Sequence, residues 1–177
     1  MLHAPIPGNE ISRLQALHAL KILDTQADVR FDCITRFAAE KIGVPICLIT
    51  LIDSERQWFK STWGIDAKEI PRDLSICAHA ICETTNNHLR GRVYEVCDTH
   101  EDSRFFDSPL VTESPFVRSY ISFVLQSNSG VNIGTLCLVE VRPRKFDNNE
   151  IDLLIELGSM SEDLVNGRQL SSKSSSH

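Results

Sequence analysis

The run PICLITLID, residues 45–53, constrains the fold most tightly. It is apolar and rich in β-branched residues, so it reads as a buried strand. Its backbone groups need partner strands. A turn at Asp53-Ser54-Glu55 leads into RQWFKSTWG, residues 56–64, which alternates in character and reads as one partner. Strict alternation puts Gln57, Phe59 and Ser61 on one side and Trp58, Lys60 and Thr62 on the other. RVYEVCD at 92–98, SYISFVLQS at 119–127 and VNIGTLCLVEV at 131–141 are further strand candidates. The last two join through Asn128-Ser129-Gly130, where Gly130 supplies the positive φ of a hairpin turn.

Helical patterns flank these strands. Residues 10–23, EISRLQALHALKIL, carry Ile11, Leu14, Leu17, Leu20 and Leu23 at steps of three, and Asp24-Thr25 offers a stop. A second helix is expected over residues 29–42, with Phe31, Ile34, Phe37, Ala38 and Ile42 on its apolar side. Gly43 suits its end, and Pro45 prevents continuation. The final helix starts at DNNE, where Asp147 and Glu150 spell a capping box. It carries Ile151, Leu154, Ile155, Leu157 and Leu164. A short helix is expected around residues 75–84. Residues 99–115, THEDSRFFDSPLVTESP, read as a long loop with one helical turn, a length that is often functional. The fold class is therefore α+β with a mainly antiparallel central sheet. Residues 1–9 are expected to be a flexible lead-in, 10–168 one domain, and 169–177 a disordered serine-rich tail.

The 177 residues suit one core. The net charge of −6 argues against nucleic-acid binding, which needs Lys and Arg against phosphates. No apolar run approaches the roughly 20 residues that cross a bilayer, and MLHAPIPGNE does not resemble a signal peptide. The expectation is a cytoplasmic protein with reduced cysteines and no membrane contact. No CxxC pair occurs among the six cysteines, and Cys47 and Cys137 read as small buried hydrophobes.

Six stretches carry a resemblance: ISRLQALHALKILDT, RFDCITRFAAEKIGVPICLITLID, RQWFKSTWGID, PRDLSICAHAI, DSRFFDSPLV and GTLCLVEVRPR. In this order, over about residues 10–165, they resemble a GAF domain, of the type at the front of bacterial histidine kinases and diguanylate cyclases. The resemblance implies an antiparallel sheet of five or six strands. Terminal helices would pack on one face, and a pocket on the other would be closed by the CAHAI helix and the DSRFFDSPLV loop. Relatives bind cyclic nucleotides, haem, bilins or other small molecules, and the module is usually not an enzyme. Ser122, Val124-Leu125 and Glu140 depart from common residues of the family and leave the ligand and any cofactor unknown. A homodimer through the terminal helices is expected. No output domain follows the last helix in this sequence, so the chain reads as a stand-alone sensor or a sensor piece whose partner is a signalling output protein.

PRDLSICAHAI, residues 71–81, poses the chemical question. On a helix, Cys77 and His79 lie about 200° apart and cannot share a metal ion. His79 and Cys82 share a face but supply two ligands where zinc takes three or four. Bilin-binding relatives place His directly after Cys, whereas Ala78 intervenes here. Asp73 or Ser75 can cap the helix, which puts Cys77 in a first turn that lowers a thiol pKa. That leaves a thiol redox enzyme of the free methionine sulfoxide reductase type as the alternative, acting through Cys77 with Cys82 or Cys97. The preferred reading is packing and pocket lining, with no catalytic residue and no metal. Expected ligand-binding residues are Trp58, Lys60, Cys77, His79, Asp98, Phe105 and Tyr120. Arg72 is expected to pair with Asp73 or Asp98, and Arg104 with Asp102.

Overall fold

The computed structural model describes residues 1–84 and 88–169. The serine-rich tail from residue 170 onward lies outside the described residues. The elements run α1 (Glu10–Ala19), α2 (Val29–Ile42), β1 (Ile46–Ile52), β2 (Arg56–Trp63), β3 (Glu69–Pro71), α3 (Ile76–Glu83), β4 (Val93–Val96), α4 (Pro109–Thr112), β5 (Ser119–Gln126), β6 (Asn132–Glu140) and α5 (Asn148–Val165). The strands form one six-stranded sheet in the order β3-β2-β1-β6-β5-β4, with every neighbouring pair antiparallel. This is the expected α+β class. The three-residue strand β3 has no sequence signature, since EIP is too short to show alternation.

β1 is buried along its whole length because both faces of the sheet are covered. Cys47, Ile49 and Leu51 face a core shared with Leu17, with Phe31 and Ile34 of α2, and with Leu154 and Leu157 of α5. Ile46, Leu48 and Ile52 face a second core with Ile76, Ala80 and Ile81 of α3. The sheet thus separates a helical layer from a layer made by α3 and the 97–118 segment.

Local signals work at the helix ends. The Asp28 side chain caps α2 by accepting from the Arg30 amide, and Gly43 closes it at φ 79° with its amide on the Ala39 carbonyl. Both halves of the Asp147–Glu150 capping box are present at α5. α1 is shorter than expected. Its end tightens into bonds from Leu20 to Leu17 and from Lys21 to His18, and Lys21 then turns the chain at φ 53°. Its stripe also differs: Ile11 is 78% exposed, while Arg13 is buried beside Leu17. The Arg13 guanidinium donates to the Ile52 carbonyl at the end of β1, 2.7 Å away, and to both Glu10 oxygens. Arg72 donates to Glu10 at 2.6 Å, not to Asp73 or Asp98 as expected. Glu10 is brought to Arg72 by α1 lying across the end of the sheet, a placement with no local signature.

A bulge in β2 corrects the face assignment. Ile49 pairs with Ser61 and Thr50 with Phe59, so Lys60 is the extra residue. Beyond it the alternation shifts by one. Phe59 stays opposite the helices, while Trp58 and Ser61 both face them, Ser61 bonding to Thr35 and Asp32 of α2.

Candidate functional site

Between the sheet and α3 lies a cavity of about 390 Å³. Ile46, Leu48, Phe59, Ile70, Leu110, Val117 and Val139 form apolar walls, and Gln57, Cys77, Tyr120 and Cys137 supply polar atoms. Asp66, Ala67 and Ser114 are exposed lining residues and mark its mouth. A volume in the few-hundred Å³ range with mostly apolar walls and a few convergent polar groups is typical of small-molecule sites.

The polar floor is built from α3 outward. Ser75 caps α3 by accepting from the Ala78 amide at 2.9 Å, which puts Cys77 in the first turn. The Ser75 hydroxyl also donates to Gln57 Oε1 at 2.5 Å. That bond fixes the Gln57 amide so that its Nε2 donates to Cys77 Sγ at 3.3 Å. Thr135 Oγ1 donates to the same sulfur at 3.2 Å, and Tyr120 Oη lies 2.9 Å from it. Burial pushes the Cys77 thiol up, but hydrogen bonds from Cys137, Thr135, Tyr120 and Thr50 outweigh it and bring the pKa down to about 7. The Tyr120 hydroxyl is held well above its ordinary value by burial and by Cys77 beside it. Cys137 is also raised, first by its hydrogen bond to Cys77 and then by burial.

The seven expected site residues fall into three places. Cys77 and Tyr120 line the cavity. Trp58 and Lys60 stand on the opposite face of the sheet. The Lys60 ammonium donates to Thr25 Oγ1 and the Gln26 carbonyl at 2.8 and 2.7 Å, and sits 5.4 Å from the centre of the Phe31 ring. His79, Phe105 and Asp98 are absent from the cavity lining. His79 stacks edge-on against Phe105 at 4.8 Å and donates from Nε2 to the Leu2 carbonyl at 2.9 Å. Burial lowers its pKa. Asp98 caps a short turn through the His100 amide and pairs with Arg118 at 3.1 Å.

Gln57, Phe59 and Cys137 line the cavity without having been expected there. Alternation in β2 sets Gln57 and Phe59 apart from Trp58, and that is the available signal. Cys137 gives none, because a cysteine in an apolar strand looks the same whether or not another thiol faces it. The loop does close this layer: Arg104 pairs with Asp102 at 2.7 Å as expected and also clamps Glu83 of α3 at 2.7 Å. Residues 1–9, expected as a flexible lead-in, lie against the same layer, with the Leu2 amide on the Arg104 carbonyl and Cys82 Sγ on the Pro5 carbonyl. Among the described residues no cluster of three His, Cys, Asp or Glu side chains could hold a metal ion.

The family model of the GAF domain matches residues 26–161. The chain belongs to the GAF family. It is 37% identical over 144 residues to a cyclic di-GMP phosphodiesterase of Pseudomonas aeruginosa. That alignment covers 81% of this chain and 23% of the relative, so the GAF chain spans about a quarter of that protein's length. Among solved structures, type II free methionine-R-sulfoxide reductase from Thermoplasma acidophilum superimposes with a TM-score of 0.60 at 13% identity, covering 86% of this chain and 96% of that one. The blue-light absorbing form of the PixJ GAF domain of Thermosynechococcus elongatus gives 0.57 at 17% identity, covering 89% of both chains. At these identities the likeness is one of fold. No described helix is long and apolar enough to cross a membrane.

Proposed function

We propose that this GAF domain is a sensory and regulatory module of a bacterial signalling system, and that it binds a small, uncharged, largely apolar molecule with one hydrogen-bonding end. The cavity carries the reading. Its walls are apolar, its floor offers Gln57 and Tyr120, and no Lys, Arg or His stands among its described lining residues. Asp66 at the mouth is the one Asp or Glu among the described lining residues. A nucleotide or another anion would meet no cation there and one carboxylate, so desolvating its charge would go uncompensated. The likeness to a cyclic di-GMP phosphodiesterase supports a place in cyclic-dinucleotide signalling, with the GAF domain as the regulatory part. Histidine kinase and diguanylate cyclase settings are of the same class. The module acts in the cytoplasm as a homodimer through its terminal helices, on an output domain or partner.

A hydrogen-bonded series offers a route from ligand to output. Asn132 Nδ2 donates to the Ile81 and Thr84 carbonyls at the end of α3, at 2.9 and 2.7 Å. Gln126 Nε2 donates to Asn132 Oδ1, and the Gln126 amide donates to Glu162 of α5 at 2.6 Å. A ligand that prefers one placement of α3 biases α5 by that difference in affinity.

The reductase alternative has less support. Neither proposed thiol partner meets Cys77, since Cys82 bonds to the Pro5 carbonyl and Cys97 is exposed. A free amino acid is a zwitterion, and the described lining offers its carboxylate no cation.

The test is ligand-detected NMR with matched neutral and anionic fragments. Neutral apolar fragments should bind to wild type and be lost on Val117→Trp, which fills the cavity. Binding confined to nucleotides, or unchanged in the Trp variant, sinks the reading.

A further inference from the structure

Two of the six cysteines meet on the pocket side of the sheet. Cys77 comes from α3 and Cys137 from β6, and both line the cavity. Thr135 donates to Cys77 Sγ at 3.2 Å, and Cys137 stands two residues further along the same face of β6, which brings its thiol beside Cys77. Gln57, Thr135 and Tyr120 complete a set of neutral donors around Cys77 Sγ. Such donors favour a thiolate, and the first-turn amides of α3 add to them. Burial and the neighbouring Cys77 hold the Cys137 thiol above its ordinary pKa, so it keeps its proton. The pair therefore consists of one nucleophilic sulfur and one protonated sulfur, side by side on the wall of a space that a small molecule can enter.

We propose that Cys77 and Cys137 form a redox-active dithiol, in which a small peroxide oxidises Cys77 and Cys137 resolves it to a disulfide. The Cys77 thiolate attacks one peroxide oxygen, the O–O bond breaks, and the leaving alkoxide or hydroxide takes up a proton as alcohol or water. Cys77 is then a sulfenic acid. The Cys137 sulfur attacks Cys77 and breaks its S–O bond, and the hydroxide leaves with the Cys137 proton as water. The two thiols lose two electrons and the peroxide gains them. Cys137 becomes a better nucleophile at that stage, because two of the causes that raise its pKa, the hydrogen bond to Cys77 and the Cys77 charge, vanish on oxidation. The new bond draws the first turn of α3 onto β6, the wall that a ligand would touch. The step needs access to the cavity and no ligand in it, so it stands apart from the binding reading.

Neighbouring groups define the controls. Tyr120 is the other titratable group against Cys77, while Gln57, Thr50 and Thr135 are neutral. Cys33 and Cys97 are exposed and free. The experiment treats the purified chain with one equivalent of hydrogen peroxide, alkylates it in denaturant without reductant, and maps its peptides by mass spectrometry. The expected result is loss of two hydrogens, two fewer alkylated cysteines, and a reducible cross-link between the Cys77 and Cys137 peptides. Cys137→Ser should instead leave Cys77 as a sulfenic acid that dimedone captures. Oxidation confined to Cys33 or Cys97, or a Cys77 that remains alkylatable throughout, overturns the proposal. The wild-type peptide map alone separates these outcomes, whether or not the serine variant folds.

Discussion

Cys77 shows how neighbours reset one side chain. A buried thiol in apolar surroundings is held up, as Cys47 is by burial. Cys77 is equally enclosed, yet its donors favour the thiolate and bring the pKa to about 7. Its reaction with a neutral alkylating agent should therefore rise as pH increases through about 7, where an ordinary thiol would lag until about 8.5. Tyr120→Phe removes a donor 2.9 Å from the sulfur and should move that midpoint upward by roughly one unit, about 1.4 kcal/mol of lost thiolate stabilisation. Rate against pH, followed by mass, checks both, and an unmoved midpoint in the variant would show that Tyr120 is mere packing. The motif around Cys77 is legible in the sequence as a capped turn holding a cysteine. Its partners are not, because they arrive from β2, β5 and β6.

At the level of elements, the contact between α5 and β5 depends on Gly158. A Cβ there would stand 2.3 Å from Phe123 Cδ2, and Phe123 is buried with the Arg92 guanidinium 4.5 Å from its ring centre. Gly158→Ala brings two opposed effects. A helical alanine gains up to about 1 kcal/mol over glycine, and overpacking a tight core costs about 1–3 kcal/mol. The ring has little room to move, so overpacking wins and a net loss of about 1–2 kcal/mol is expected in urea unfolding. Asn132→Ala tests the route between α3 and α5. It removes two bonds to α3 carbonyls, and hydrogen exchange at the last α3 amides should rise several-fold. Equal protection in the variant would break the proposed link.

The whole molecule is tied at one end by Glu10, which joins Arg13 of α1 to Arg72 ahead of α3. Burial pushes the Glu10 carboxyl up, but the bonds and charges of the two arginines outweigh it and set its pKa near 2. A carboxylate held below its ordinary value stabilises the fold fully above about pH 4.5, and that stability is lost as pH falls from there towards 2. Glu10→Gln removes the carboxylate charge between two buried guanidiniums and should cost about 3 kcal/mol at neutral pH. Its melting temperature should then fall less than that of wild type between pH 5 and pH 3. Parallel acid profiles for the two proteins would contradict this role.

What the amino-acid order settled by itself is local. The α2 stop at Gly43, a cap at Asp73 or Ser75 ahead of α3, the Asp147–Glu150 box and the buried β1 all rest on interactions within a few residues, or on a periodicity the chain carries wherever it folds. Six motifs in family order conveyed the architecture as well. The site belongs to the tertiary structure. A single extra residue at Lys60 turned Ser61 to the helical side, and the packing of Gln57 and Phe59 over the cavity put Trp58 on the other face. Cys137 comes beside Cys77 on the cavity wall, Glu10 meets Arg72, and residues 1–9 reach α3 only once distant segments are packed together. Side-chain direction in a strand depends on the register of its partner, and a cavity is the space left between layers. Neither quantity is stored in any short stretch of the chain.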